Sequence, residues 1–235
     1  MAGTTTPEHD GPVPPPTDAG TLRARLLGLV LDRGYTRRAE PFQLSSGGTS
    51  RDYVDLRRCV ALGADLRLGA EAVIAHAASL GVDFDVVGGM TMGADPVAHA
   101  VALLSGRAWF SVRKTEKQHG TRQRIEGGEV GPGVRVLLFE DTISTGRSIL
   151  EALEVVLDAG ATVVLACTLL DRGDAAAARF RAMGIRYSPI LTYHDLGIEP
   201  IGSPPAEGPG TAVAAGHAGD GRAPGDGGDR GGDPG

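Results

Sequence analysis

The sequence predicts an α/β domain with a central, mostly parallel β-sheet flanked by helices. The chain has 235 residues, of which 41% are hydrophobic and 22% are charged, enough to bury one good-sized core. Short apolar runs of strand length alternate with stretches of helical periodicity, which is the pattern of βαβ units in a sheet buried on both faces. Ligands of such folds bind beyond the carboxyl ends of the strands.

The helices and strands are predicted from this periodicity. A first helix follows Thr21, and a second runs from Leu62 to Leu80 and ends at Gly81. Strands are then predicted at Phe84–Val87, Trp109–Val112, Val134–Phe139, Val163–Leu170 and Ile190–Tyr193. Further helices are predicted at 95–104, 148–158 and 174–183.

Both ends of the chain are predicted to be disordered. The first twenty residues contain five prolines, and residues 202–235 are rich in glycine and proline with almost no large apolar side chains. Such segments cannot bury enough apolar surface to offset their ordering entropy. We therefore expect a single domain at 21–201 between a disordered N-terminus at 1–20 and a disordered tail at 202–235.

Composition excludes several classes of protein. No stretch approaches the roughly 18 consecutive apolar residues of a membrane span, and the start of the chain lacks a secretory signal, so we expect a cytoplasmic protein. A formal charge of −6 argues against binding to nucleic acid, which requires a basic face. Cys59 and Cys167 belong to no cluster with metal-ligand spacing and are predicted to be buried thiols.

The only two lysines of the chain lie three residues apart, whereas its other 21 basic side chains are arginines. Residues 107–126 carry a local charge of +4, from Arg107, Arg113, Lys114, Lys117, Arg122 and Arg124 against Glu116 and Glu126. A solvated charged loop is the simpler interpretation. The alternative is a mobile loop that handles a small polyanion, since a lysine ammonium is a compact and movable charge.

A strand, a polar turn and an amphipathic helix follow one another in residues 134–158, VRVLLFEDTISTGRSILEALEVVLD. The turn at 143–148 offers three hydroxyls and backbone N–H groups at a predicted helix start, which favours a phosphate. Gly146 allows close approach of the backbone or a positive φ. Glu140 and Asp141 suit sugar hydroxyls or a hydrated Mg²⁺ ion instead of phosphate. An ordinary capped helix beside solvated carboxylates is the alternative.

This segment resembles the phosphoribosyl-diphosphate (PRPP) loop of type I phosphoribosyltransferases. Three further segments are similar to the orotate phosphoribosyltransferases of that superfamily: FQLSSGGTSRDYVDLR at 42–57, RKTEKQHG with RIEG within 113–127, and LLDRG at 169–173. The resemblance covers about residues 40–199. It implies the type I phosphoribosyltransferase fold, with a mobile catalytic loop and a small N-terminal hood.

The resemblance also implies roles for individual residues. Lys117, Glu140 and Asp141 are the catalytic candidates. PRPP is expected to contact the catalytic loop and the PRPP loop, at Arg113, Lys114, Lys117, His119, Glu140, Asp141, Thr142, Ile143, Ser144, Thr145, Gly146, Arg147 and Ser148. Orotate is expected at Ser144 and Arg172, because a guanidinium suits its carboxylate. No side chain is expected to hold a metal ion of its own, and Mg²⁺ is expected with the substrate.

The implied reaction transfers ribose 5-phosphate from PRPP to orotate and yields orotidine 5′-monophosphate and pyrophosphate, in the de novo synthesis of UMP. The resemblance further implies a homodimer with shared active sites. Two alternatives stay open at this point: a phosphoribosyltransferase for another nucleobase, and a non-catalytic regulator that senses PRPP on the same fold.

Two positions depart from the family pattern. Ser45 and Met92 stand where the family usually has lysines, so positive charge is lost from the expected pocket. Phe42 and Tyr53 either line the base pocket or pack in the core. Arg57 follows a predicted strand and is interpreted as part of a solvated face or an interface patch.

Overall fold

A computed structural model of the chain describes residues 18–44, 48–115 and 124–201. Ser45, Lys117, His119 and the tail at 202–235 lie outside the described residues, as does the predicted disordered N-terminus up to residue 17. Helix α1 spans Ala19–Leu29 and therefore starts before the predicted domain boundary at residue 21. Its N-cap is Asp18, whose carboxylate accepts a hydrogen bond from the Thr21 N–H.

An antiparallel hairpin follows the first helix and a single π-helical turn at Val30–Gly34. Its strands are β1 (Tyr35–Gln43) and β2 (Thr49–Val54), which form a separate two-stranded sheet. This hairpin is the small N-terminal hood that the resemblance implies. Short helix α2 (Leu56–Cys59) and the longer α3 (Gly63–Ser79) lead from it into the main domain.

The central sheet has six strands and confirms the predicted α/β class. In chain order these are β3 (Val86–Met90), β4 (Ala108–Val112), β5 (Ile125–Gly127), β6 (Arg135–Ile143), β7 (Thr162–Asp171) and β8 (Tyr187–Thr192). They lie side by side in the order β5-β4-β3-β6-β7-β8. All pairs are parallel except β4 with the edge strand β5. The remaining helices are α4 (Asp95–Ser105), α5 (Arg147–Asp158) and α6 (Ala175–Ala182).

The sheet is buried on both faces, as its apolar strands predict. Along β6, Leu137 and Phe139 pack in one cluster with α1, α3 and α4, while Val136 and Leu138 pack in the other with α5 and α6. Packing in the middle of the sheet is so close that a Cβ on Gly88 would lie 1.9 Å from the backbone oxygen of Phe110. Both cysteines are buried free thiols, as predicted.

The strand bounds differ from the prediction in one place that matters for the site. The prediction ends the central strand at Phe139, with the two acids just beyond it, whereas pairing with β7 continues to Ile143 opposite Asp171. The acids therefore belong to the last part of the strand and are held by its ladder. Among the described residues, no helix has the length and apolar character needed to cross a bilayer.

Candidate active site

The turn between β6 and α5 forms a hollow of about 500 Å³ at the carboxyl edge of the sheet, as predicted. It is lined by Glu140 and by the run from Thr142 to Ile149, which includes every hydroxyl of the predicted phosphate loop. Helix α5 begins at Arg147, and no side chain caps its N-terminus among the described residues. The free N–H groups and the dipole of its first turn therefore face the hollow, where they favour an anion.

Gly146 makes this turn possible. It precedes α5 with a φ of 77°, a left-handed conformation that side chains other than glycine adopt at a cost. A Cβ at this position would also lie 2.9 Å from the Cβ of Ala176 on the neighbouring helix. The glycine thus satisfies both the backbone conformation and the close packing of the turn.

Glu140 lies at the inner wall of the hollow and is 7% exposed. Burial raises the pKa of its carboxyl from 4.5 to about 8, the charge of Asp141 adds to the rise, and Lys114 opposes it. Among the described residues, no group donates a hydrogen bond to Glu140 Oε2. A buried acceptor without a partner is costly to leave unsatisfied, so it fits a ligand that brings a donor.

Asp141 is fixed next to Glu140 by its own neighbour, since its Oδ1 accepts the Thr142 N–H at 2.7 Å. Burial is the largest effect on its carboxyl and raises its pKa, while the Arg57 guanidinium acts in the opposite direction. Gly93 faces both acids, and a Cβ there would lie 2.9 Å from Glu140 Oε1 and 3.0 Å from Asp141 Oδ1. The space above the two carboxylates is therefore kept open by a glycine.

Arg172 lines a second hollow of about 290 Å³ between the hairpin and the sheet, which also contains Asp141, Thr142 and Ser144. Only 5% of Arg172 is exposed, and burial lowers the pKa of its guanidinium. Its Nη2 donates a hydrogen bond to the backbone oxygen of Asp52 at 2.7 Å. Its Nε is buried and has no acceptor among the described residues.

The backbone at Arg172 is held by the residue before it. One carboxylate oxygen of Asp171 accepts the Gly173 N–H at 3.1 Å, and the other accepts the Tyr187 hydroxyl at 2.5 Å. The Arg172 N–H in turn donates to Ile143 O at 2.8 Å. These bonds join the ends of β6 and β7 and hold the backbone at Arg172.

The basic segment begins beside these hollows. Arg113 and Lys114 line a third hollow of about 560 Å³ with Met92 and Glu126, while Lys117 and His119 lie outside the described residues. Arg124 lies beside this segment, because its Nε donates to the backbone oxygen of Arg113 at 2.9 Å. The structure thus places the start of the predicted catalytic loop at the same sheet edge as the acids.

Sequence reasoning missed two residues that line the site. Arg57 shares the second hollow with Asp141, although the sequence placed it on a solvated face or an interface. Gly93 was not singled out. Tyr53 lines the second hollow, whereas Phe42 packs edge-to-face against Tyr53 with ring centroids 5.7 Å apart, and neither belongs to the described core clusters. The segment 42–57 that carries the family resemblance was the available signal for Arg57.

The described side chains do not form a metal cage. Among them, no group of three or more histidine, cysteine, aspartate or glutamate residues is arranged to hold an ion. Two adjacent carboxylates with one unpaired oxygen instead fit an ion that arrives with its own oxygen ligands.

A parallel sheet that brings an acid pair, a glycine turn at a helix start and a basic loop stem to one edge defines the class of type I phosphoribosyltransferases. Comparison with known proteins narrows the class. No protein-family model matches the sequence. The chain is, however, 45% identical over 186 residues to the orotate phosphoribosyltransferase of Mycobacterium tuberculosis H37Rv, covering 77% of this chain and 99% of that protein. It belongs to the orotate phosphoribosyltransferase family.

More distant relatives and solved structures agree. The orotate phosphoribosyltransferase of Pyrococcus furiosus is 38% identical over 175 residues, which cover 74% of this chain and 95% of that one. The crystal structure of the Mycobacterium tuberculosis H37Rv orotate phosphoribosyltransferase in complex with PRPP matches with a TM-score of 0.62 and 40% identity, over 75% of this chain and 99% of that chain. These matches confirm the family and the fold that the sequence predicts.

Proposed function

We propose that this chain transfers the ribose 5-phosphate group of PRPP to N1 of orotate, producing orotidine 5′-monophosphate and pyrophosphate. The observation that carries the proposal is that Thr142 and Ser144 line both the phosphate hollow and the Arg172 hollow. A ribose phosphate held at the first hollow has its ring over the acid pair, and its C1′ faces the second. Family membership supports orotate as the acceptor.

The protein's contribution is positioning and charge stabilisation. The bond from C1′ to a pyrophosphate oxygen breaks while the bond from C1′ to N1 of orotate forms, and the proton lost from N1 passes to the leaving pyrophosphate or to water. Glu140 and Asp141 accept hydrogen bonds from the ribose hydroxyls and lie close to the cationic charge that develops on the sugar. Arg113 and Lys114, together with Lys117 and His119 of the loop, neutralise the leaving pyrophosphate. Mg²⁺ bound to PRPP supplies further neutralisation of the diphosphate.

Orotate binding is assigned to Arg172. A carboxylate needs N–H donors, and the buried guanidinium of Arg172 belongs to a residue that lines the hollow together with Ser144. Arg57 adds a second positive charge to the same hollow. Because Ser45 and Met92 replace the usual lysines of the family, we propose that these arginines supply much of the positive charge near the base and the ribose.

The decisive experiment is the loss of orotate absorbance when purified protein is given PRPP and Mg²⁺. Orotate should be consumed, with pyrophosphate released in equal amount. Uracil, adenine and hypoxanthine serve as competing bases in parallel reactions. Consumption of one of these instead would indicate another phosphoribosyltransferase, and PRPP binding without turnover of any base would indicate a regulator; either result contradicts the proposal.

Two further features stay predictions from the family resemblance. We propose a homodimer in which each protomer contributes its loop to the partner's site, which light scattering and mixing of two inactive variants would test. A cytoplasmic location is likewise proposed, and cell fractionation tests it.

A further inference from the structure

The guanidinium of Arg172 rests on the N-terminal hairpin and not on the sheet that carries it. Its Nη2 donates to the backbone oxygen of Asp52 at 2.7 Å, a contact between residues 120 positions apart. The hairpin is a separate two-stranded sheet, and isolated two-stranded sheets are marginally stable in water. The direction of Arg172 therefore depends on what fixes Asp52.

The strand ladder of the hairpin is regular up to Asp52 and is interrupted immediately beyond it. Asp52 pairs with Arg37, but the next pair along the ladder is Ser50 with Phe42. Residues 38–41 of β1 thus bulge out opposite Arg51 alone. A bulge interrupts the regular ladder and leaves the backbone beside it less constrained.

Side chains replace the missing ladder bonds. The Tyr35 hydroxyl donates to Asp52 Oδ1 at 2.9 Å, and Arg37 Nη1 donates to the same oxygen at 3.1 Å. The Asp52 N–H donates to Ser50 Oγ at 3.0 Å. Asp52 is 6% exposed, whereas the Arg37 side chain is 65% exposed and its ion pair is screened by water. Tyr35, which is only partly exposed, is the stronger anchor.

We propose that Tyr35 and Asp52 are positioning residues for the base: their hydrogen bond fixes the Asp52 carbonyl, and that carbonyl holds the Arg172 guanidinium in place at the wall of the second hollow. The inference rests on the proposed function, in which Arg172 binds the orotate carboxylate. Neither Tyr35 nor the Asp52 side chain touches the substrate, so their effect is confined to the half-site that Arg172 serves.

The test is steady-state kinetics of Tyr35→Phe with each substrate varied in turn. Loss of one hydrogen bond to a buried carboxylate should raise the KM for orotate about 3- to 20-fold, with kcat and the KM for PRPP within about twofold of the wild type. Asp52→Asn keeps the carbonyl and an acceptor for Tyr35, so it should stay near the wild type, whereas Asp52→Ala should match Tyr35→Phe. Tyr193→Phe is the matched control, because it removes a similar bond from the Tyr193 hydroxyl to Asp174 Oδ2 at 3.1 Å.

Three kinetic results would overturn the proposal: an unchanged KM for orotate in Tyr35→Phe, an equal rise of both KM values in Tyr35→Phe, or an orotate-specific rise of the same size in Tyr193→Phe. Crystal structures of the wild type and of Tyr35→Phe test the positioning role without any measurement of activity. The Arg172 Nη2 to Asp52 O distance should exceed hydrogen-bond range in the variant, and an unchanged distance would also refute the proposal. If the wild type does not consume orotate, only the proposed function is refuted, because the two crystal structures still test the positioning role.

Discussion

Replacing Glu140 by glutamine should stabilise the free protein while damaging its site. Burial raises the pKa of this carboxyl from 4.5 to about 8, so the carboxyl binds its proton more tightly in the folded chain than in the unfolded one. With 1.36 kcal/mol for each pH unit, full ionisation of Glu140 costs folding about 5 kcal/mol. Below pH 4.5 the carboxyl is protonated in both states and folding bears no such cost. As the pH rises from 4.5 to 8, the folded state loses up to this amount of stability relative to the unfolded state. Glutamine is neutral throughout and avoids the loss.

The assay is denaturant unfolding of the wild type and Glu140→Gln between pH 5 and 9 without ligand. The variant should exceed the wild type in free energy of unfolding by about 1 kcal/mol at pH 5 and by about 4–5 kcal/mol at pH 9, with equal denaturant slopes. Glu154→Gln on the exposed face of α5 is the control and should show no such divergence. A gap that stays constant with pH would refute the argument that Glu140 is a desolvated acid.

Three further variants test the division of labour in the site. Lys117→Ala should lower kcat by about 10²–10³-fold, as for loss of one preorganised charge-stabilising donor; an unchanged kcat would exclude Lys117 from catalysis. Arg172→Ala should raise the KM for orotate far more than that for PRPP, and equal effects would contradict its assignment to the base. Gly93→Ala places a methyl group 2.9 Å from Glu140 Oε1, so the KM for PRPP should rise, and an unaltered value measured by initial rates would show that the acids are not on the ribose.

The sequence predicted the central sheet well because its strands are buried on both faces. Continuous apolar runs such as that of β6 have no other stable location in a chain of this size. Apolar periodicity did not predict the hairpin, since β1 is exposed along almost all of its length and contains Pro41. Edge strand β5 has three residues and no apolar run. Both were inferred, if at all, from family resemblance and not from periodicity.

The residues of the candidate site likewise fall into those that the sequence predicted and those that it did not. Residues contiguous in sequence, from Glu140 to Ser148, were predicted together because one strand–turn–helix unit carries them. Gly93 and Asp52 reach the site from other elements, and nothing in their local sequence marks a contact with Glu140 or Arg172. Arg57 was recognised as a charge but placed on the surface, because burial of its neighbours depends on how α2 packs on the sheet.

The charges of the site depend on one another before any substrate arrives. Arg57 lowers the pKa of Asp141 and Lys114 lowers that of Glu140, yet burial outweighs both cations and the two pKa values stay raised. A ligand that donates hydrogen bonds to the carboxylates relieves this desolvation cost. Within the proposed function, the ribose hydroxyls of PRPP are such donors. Within that function, ribose hydroxyls that reach the acid pair would offset part of the desolvation cost that the free protein bears.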